Sequence, residues 1–463
     1  NQNGLETIYR YDNENRLTRV TFPDEPSREV IFSYDQGTYG KGRLTGVSDP
    51  EESVSYTYNA LGQLINERKI ISGSDVTTTY AYDPEGRLVS TTYPSGRTVS
   101  FHLDSTGKPS RITTEGNGIS QSVAGSITYY PFGPVKNLHY PNGKILEART
   151  DLSFLIKSLT LEPDFDFEYL RDEVGNILTI IDDTDPVQNR SFAYNDLYQL
   201  EIGITPAGDF EYTYDDTGNR LTITKGELTN TYHYASGTNQ LDSITGPLPV
   251  SFTRDIHGNI ETAGSRSYVY NADNRLVRVQ ENGALLAEYA YNYLGQRTRK
   301  TVNGVTTLFH YDRAGSLIAE TDAAGNTLKE YIYLGTTPIA MIACGPADYL
   351  PSDQDQDHDV DGRDLYLANG ANLNSLAADF GKTYDPYSKI YFYHTDHLGT
   401  PVMMTDVRGQ QVWQADYASF GSVSLTVNTV ENNIRFPGQY HDEETGLHYN
   451  WHRYYDPDTG RYL

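Results

Sequence analysis

The strongest constraint on this chain is a nine-residue unit, YAYDPEGRL, at Tyr80–Leu88. Two aromatics stand two residues apart, so on a strand both side chains leave the same face. Asp83 and Gly86 fit the first and fourth positions of a type I turn, where glycine takes positive φ freely. The unit predicts a strand, a tight hairpin turn with a glycine bulge, and a second strand, with one aromatic face. Variants begin at Tyr9, Phe32, Tyr56, Phe101, Tyr169, Phe192, Tyr212, Tyr232, Phe252, Tyr268, Tyr289, Phe309 and Tyr391. From Tyr212 to Phe309 the steps are 20, 20, 16, 21 and 20 residues, a period that marks a repeat architecture.

One hairpin cannot bury its aromatic face alone. The next hairpin covers that face and pairs the open edge, and iteration gives a continuous antiparallel sheet. Strand twist has a fixed hand, so a long sheet coils. Composition agrees: residues AVILMFWYC make up only 37%, yet there are 39 Tyr and 15 Phe. Tyrosine suits a surface that packs on one side and stays wet on the other. Val76–Tyr82, Thr98–Leu103, Ile127–Tyr130 and Lys144–Arg149 read as strands, and Leu152–Leu161 is kept as strand because its surroundings are β.

These repeats resemble the YD-repeat, or RHS-repeat, family. YYPFGPVKNLHYPNG (Tyr129–Gly143) is similar to a segment of the RHS core. YHTDHLGTPVMMTD (Tyr393–Asp406) and Arg435–Leu463, ending YYDPDTGRYL, resemble its closing signature. The resemblance implies an all-β fold: a YD-repeat antiparallel sheet spiralling into a hollow shell, or β-cocoon. It also implies a non-enzymatic role, the shell of a secreted polymorphic toxin enclosing a C-terminal effector. Family members self-cleave just beyond the core, near a segment that Asp456 and Asp458 approach, and no catalytic residue is assigned here. The alternative is an extracellular or cell-surface adhesive module with neighbouring domains, glycan-binding or polymeric. The chain opens within a repeat and stops within the terminal signature, so a fragment of a longer exported protein is expected.

The domain reading is repeats over 1–344, an insertion over 345–388 and a terminal RHS segment over 389–463. The insertion carries Asp353, Asp355, Asp357, Asp359, Asp361 and Asp364. With Asp353 as position 1 of a twelve-residue loop, side-chain oxygens fall at 1, 3, 5, 9 and 12, and Asp359 offers its backbone carbonyl. Calcium requires that oxygen pattern. The loop resembles the calcium loop of dockerin repeats, although position 6 is His358 where glycine is usual. Leu373, Leu376, Ala377 and Phe380 then lie on one helical face.

The net charge of −26 repels phosphate backbones, which argues against nucleic-acid binding. No apolar run is long enough for a membrane span, and the single Cys344 permits no internal disulfide. His394 and His397 have HxxH spacing with no third ligand at a recognisable distance, so both are expected to be structural. His441–Glu444 reads as a charged loop rather than an acid/base pair.

Overall fold

The computed structural model describes residues 6–23, 25–131, 133–345, 363, 367 and 388–463. Thirty-six strands form one sheet, and each pairs antiparallel with the next in the chain, from Ile8–Tyr11 to Val423–Asn428. A separate four-stranded sheet follows: Tyr440–Asp442, Leu447–Asn450, Arg453–Asp456 and Arg461–Tyr462. Among the described residues only two short 3-10 turns, Pro26–Arg28 and Pro186–Gln188, interrupt this pattern as named helices.

The repeat unit forms as its residues dictate. Asp83 N–H donates to Arg87 O and Gly86 N–H to Asp83 O, both at 3.0 Å, and Gly86 has φ +85°. The Asp83 carboxylate accepts from Arg87 N at 2.8 Å. Asp215 does more, accepting from the backbone of Thr217 and Asn219 at 2.9 and 2.8 Å. Aspartate or asparagine is favoured here because its side chain satisfies turn amides that no strand reaches.

The second aromatic of each unit has its own task. The strand pairing slips by one residue beside Tyr82, Tyr214, Tyr291 and Tyr311. Each ring then crosses to the preceding hairpin and its hydroxyl donates to a backbone carbonyl. The acceptors are Leu64, Leu200, Leu276 and Arg297, at 2.9, 2.7, 2.5 and 3.0 Å. Where tyrosine is missing, Arg171 substitutes and donates to Ile156 O at 2.6 Å. Phenylalanine could not make this stitch, which accounts for the excess of tyrosine.

Adjacent turns interlock too. At several turns the side chain that follows the positive-φ residue lies over the glycine of the next turn, as Arg43 does over Gly62, Gln63 over Gly86 and Arg87 over Gly107. A Cβ on Gly295 would collide with the Arg275 guanidinium, so glycine is required there for space as well as for its φ of +76°.

The sheet winds upon itself. Lys69 Nζ donates to Tyr311 O, Tyr93 Oη to Tyr331 O and Tyr140 Oη to Tyr393 O, at 2.7, 2.8 and 2.7 Å. These partners lie 242, 238 and 253 residues apart in sequence, which is the length of one turn of the shell. Burial confirms the nesting. In the strands Thr327–Leu334, Thr337–Cys344 and Ser388–Thr395, Tyr331, Met341 and Tyr393 belong to one apolar cluster. Their neighbours Ile332, Ile342 and Phe392 belong to another. The second cluster joins them to the first turn of the wall through Val99, Ile112, Leu138, Leu159 and Phe167. The first cluster joins them to the terminal segment through Ile434, Tyr440, Tyr449 and Tyr454. The aromatic face therefore looks inward, as the repeat pattern predicts, except in the first unit, where Tyr9 and Tyr11 are exposed. Strands covered on both faces carry near-continuous apolar runs, here PIAMIAC and PVMMT.

Two local expectations change. Of Leu152–Leu161, only Ile156–Leu161 is strand. Asp151 closes a repeat-type turn with Phe154, φ +63°, where glycine usually stands. The last full unit turns at Asp396, so its leading aromatic is Tyr393 and not Tyr391. The expected strands at 76–82, 98–103, 127–130 and 144–149 fall within or one residue from observed strands.

Candidate functional site: the seat of the terminal sheet

Buried charge concentrates where the terminal sheet meets the second turn. Arg297 lies on the strand Arg297–Val302 and Asp442 on Tyr440–Asp442. Both side chains are fully buried and form an ion pair. Lys300 Nζ reaches Asp442 Oδ1 at 3.0 Å and Glu444 Oε2 at 3.2 Å. The Arg297 guanidinium lies within 5.9 Å of the ring centroids of Tyr289, Phe309, Tyr440, Tyr449 and Tyr454, an arrangement that attracts a cation to the ring faces. Burial pushes the Asp442 carboxyl up, but Arg297 and Lys300 outweigh it and hold the group below its usual value. Burial likewise opposes the Arg297 charge, and Asp442 more than offsets that. Both groups stay ionised, so this pair anchors the sheet and is not poised to exchange protons.

Weaker contacts ring the anchor. Tyr289 Oη donates to Glu444 at 3.1 Å, Arg297 N–H to Tyr449 Oη at 2.8 Å and Tyr440 Oη to Glu320 at 3.2 Å. Trp451 Nε1 donates to Leu294 O at 3.2 Å, and its ring covers Gly315. Arg220 and Arg266 donate to the carbonyls of Thr459 and Thr445. The terminal sheet thus reads the row of repeat turns along one rim of the wall.

The sequence reading of His441–Glu444 as a charged loop is corrected: His441 and Asp442 are strand residues, and Asp442 is buried. The signal was weak because Arg297 lies 145 residues away. His394 and His397 are packed against the first turn of the wall. Their rings pack on Tyr140 and Tyr169 at 4.7 and 4.6 Å. Among the described residues no histidine, cysteine and carboxylate group is arranged to hold a metal. Asp456 caps its own turn, accepting from Asp458 N and Thr459 N at 3.0 and 3.3 Å, and burial pushes its carboxyl up. Asp353, Asp355, Asp357, Asp359, Asp361 and Asp364 lie outside the described residues, as does the expected helix after them. The strands on either side of that stretch pair directly, Cys344 with Ser388. No described helix is long and apolar enough to cross a membrane.

The Teneurin YD-shell family profile matches residues 40–243, and the RHS protein profile matches 390–426. The chain is an RHS/YD-repeat protein. Across 98% of its length this RHS/YD-repeat chain superposes on 26% of a TcdB2-TccC3 crystal structure, with TM-score 0.75 and 17% identity. That likeness is one of fold, a YD-shell. The "Double-stranded DNA deaminase toxin A" of Burkholderia cenocepacia is 31% identical over 46% of this chain and 15% of its own length. "Toxin protein Tse5" of Pseudomonas aeruginosa is 33% identical over 42% and 14%. The "tRNA3(Ser)-specific nuclease WapA" of Bacillus spizizenii is 29% identical over 49% and 8%. The chain therefore spans a small fraction of the relatives it matches.

Proposed function

We propose that this chain is the encapsulating shell of a secreted RHS-type toxin, enclosing a C-terminal effector, and that the shell itself catalyses nothing. The observation that carries the reading is the wound wall with the terminal sheet seated on its inner side. The relatives lend support in a specific way. One is named a DNA deaminase toxin and another a tRNA nuclease, yet each shares a stretch with this chain. Different chemistries alongside a common wall fit a container better than a catalyst. Export from the producing cell belongs to the same reading. The test expresses the shell with whatever coding sequence follows Leu463 and applies limited proteolysis. A following segment that resists protease until the wall is unfolded supports enclosure. Cleavage of that segment while the wall stays intact overturns it.

Residues 345–388 are proposed as an insertion into the wall, ahead of the terminal segment 389–463, and the six aspartates as ligands of one calcium ion. Direct pairing of Cys344 with Ser388 supports an excursion from a single hairpin. Alternate carboxylates at Asp353 to Asp364 supply the oxygens calcium prefers. Calorimetry should show calcium binding that Asp357→Ala and Asp361→Ala abolish. An absence of binding heat in the parent chain sinks the proposal.

A further inference from the structure

Four times the repeat places a histidine directly after its first aromatic, and each one faces a threonine on the neighbouring strand. His102 meets Thr113 at 3.2 Å, His233 meets Thr245 at 2.9 Å, His310 meets Thr321 at 3.0 Å and His394 meets Thr405 at 2.8 Å. This position looks outward. On the first turn of the wall and its continuation, His102 and His233 are therefore exposed. On the second turn the first turn covers them, and His310 and His394 are 2% and 0% exposed. In both buried rings Nε2 bonds the threonine and Nδ1 has no partner. A lysine of the first turn faces each one, Lys69 for His310 and Lys144 for His394.

We propose that the seam between the two turns of the wall is a proton-sensitive joint, closed while His310 and His394 are neutral and opened when mild acid protonates them. An imidazolium has two N–H donors and needs two acceptors. Here the second donor would be buried without one, beside a like charge. Burial first, and the lysine second, push both rings down to about 3. The unfolded value is 6.5, so the stability these groups contribute is fully present above pH 6.5 and lost as pH falls toward 3. Each site is worth about tenfold per pH unit in that window, and the two together about a hundredfold.

Other charged groups share the seam. Glu67 contacts Lys69 at 3.3 Å and Tyr80 at 3.1 Å, and Asp164 pairs with Lys144 at 2.5 Å. Asp312, next to His310, is pushed up by burial, as are Asp49 and Glu52 on the first turn. Those three take up protons in the folded state and oppose opening. The decisive comparison is therefore between chains that differ only in the histidines.

The experiment is hydrogen–deuterium exchange at pH 7, 6, 5 and 4, corrected for intrinsic rate, on the parent, His310→Gln/His394→Gln and His102→Gln/His233→Gln. Glutamine keeps a hydrogen bond to threonine and cannot titrate. In the parent and in the exposed-pair variant, 305–322 and 388–405 should lose protection below pH 6. In the buried-pair variant the loss should move at least one pH unit lower. Identical opening in all three, or full protection of the parent to pH 4, overturns the proposal. Should the buried-pair variant be unprotected already at pH 7, histidine C2–H exchange on the parent decides. Protonation of His310 and His394 coincident with opening supports the joint, and their titration near pH 6.5 in the closed wall overturns it.

Discussion

His102 and His394 hold the same place in the same repeat, yet one lies in water and the other is fully buried. The same contrast separates Ile145, 45% exposed on the first turn, from Ile342, 1% exposed on the second. Local sequence sets the hairpin, its turn and the inward aromatic. What covers the outward face is set by how far the strip has wound. Positions equivalent in the repeat are thus unequal in energy, and the first turn of the wall serves as the solvent for the second.

The largest break in this comparison should come at the terminal sheet. Asp442→Ala leaves the Arg297 guanidinium buried and unpaired, a loss expected to cost about 3–5 kcal/mol. Urea unfolding monitored at Trp413, which is buried against this cluster, would report it, and a change under 1 kcal/mol would deny the anchor its role. Next comes the pair Ile342→Ala and Ile145→Ala. The first empties a site closed on both sides and should cost about 2–5 kcal/mol, while the second should stay within about 0.5 kcal/mol. Equal costs would mean that the two turns do not nest in solution. Smaller still is Tyr140→Phe, which removes the bond to Tyr393 O across the seam. A cost of about 1 kcal/mol is expected, together with faster amide exchange in 388–405. Tyr129→Phe removes a bond to Pro109 O at 2.7 Å within the first turn and should leave 388–405 unchanged.

Much of this was legible beforehand. Asp83, Gly86 and the paired aromatics specify a hairpin by local rules, and their recurrence specifies a sheet. The runs PIAMIAC and PVMMT signal strands covered twice, a cue that periodicity alone does not weigh. The stitch made by the second tyrosine was not legible, because it depends on a one-residue slip in pairing that composition does not announce. Arg297 was invisible for a different reason. Among many arginines following repeat turns, only the fold reveals which one meets Asp442 from a segment far along the chain. The length of one turn of the shell is likewise absent from any window of sequence, since it accumulates from the twist of many strands. The six aspartates of 353–364 remain a reading of spacing.

The bonds from Tyr93 and Tyr140 to carbonyls one circuit later have a mechanical meaning. Because every hairpin offers similar carbonyls, the strip could mesh with itself at several offsets, much as a screw thread engages any groove of equal pitch. The buried pair of Arg97 with Glu330, 2.7 Å apart, admits only one. Adding or deleting a single hairpin between those two residues would slide the thread by one notch and strand both charges, so the repeat count of this circuit is locked by a two-residue key.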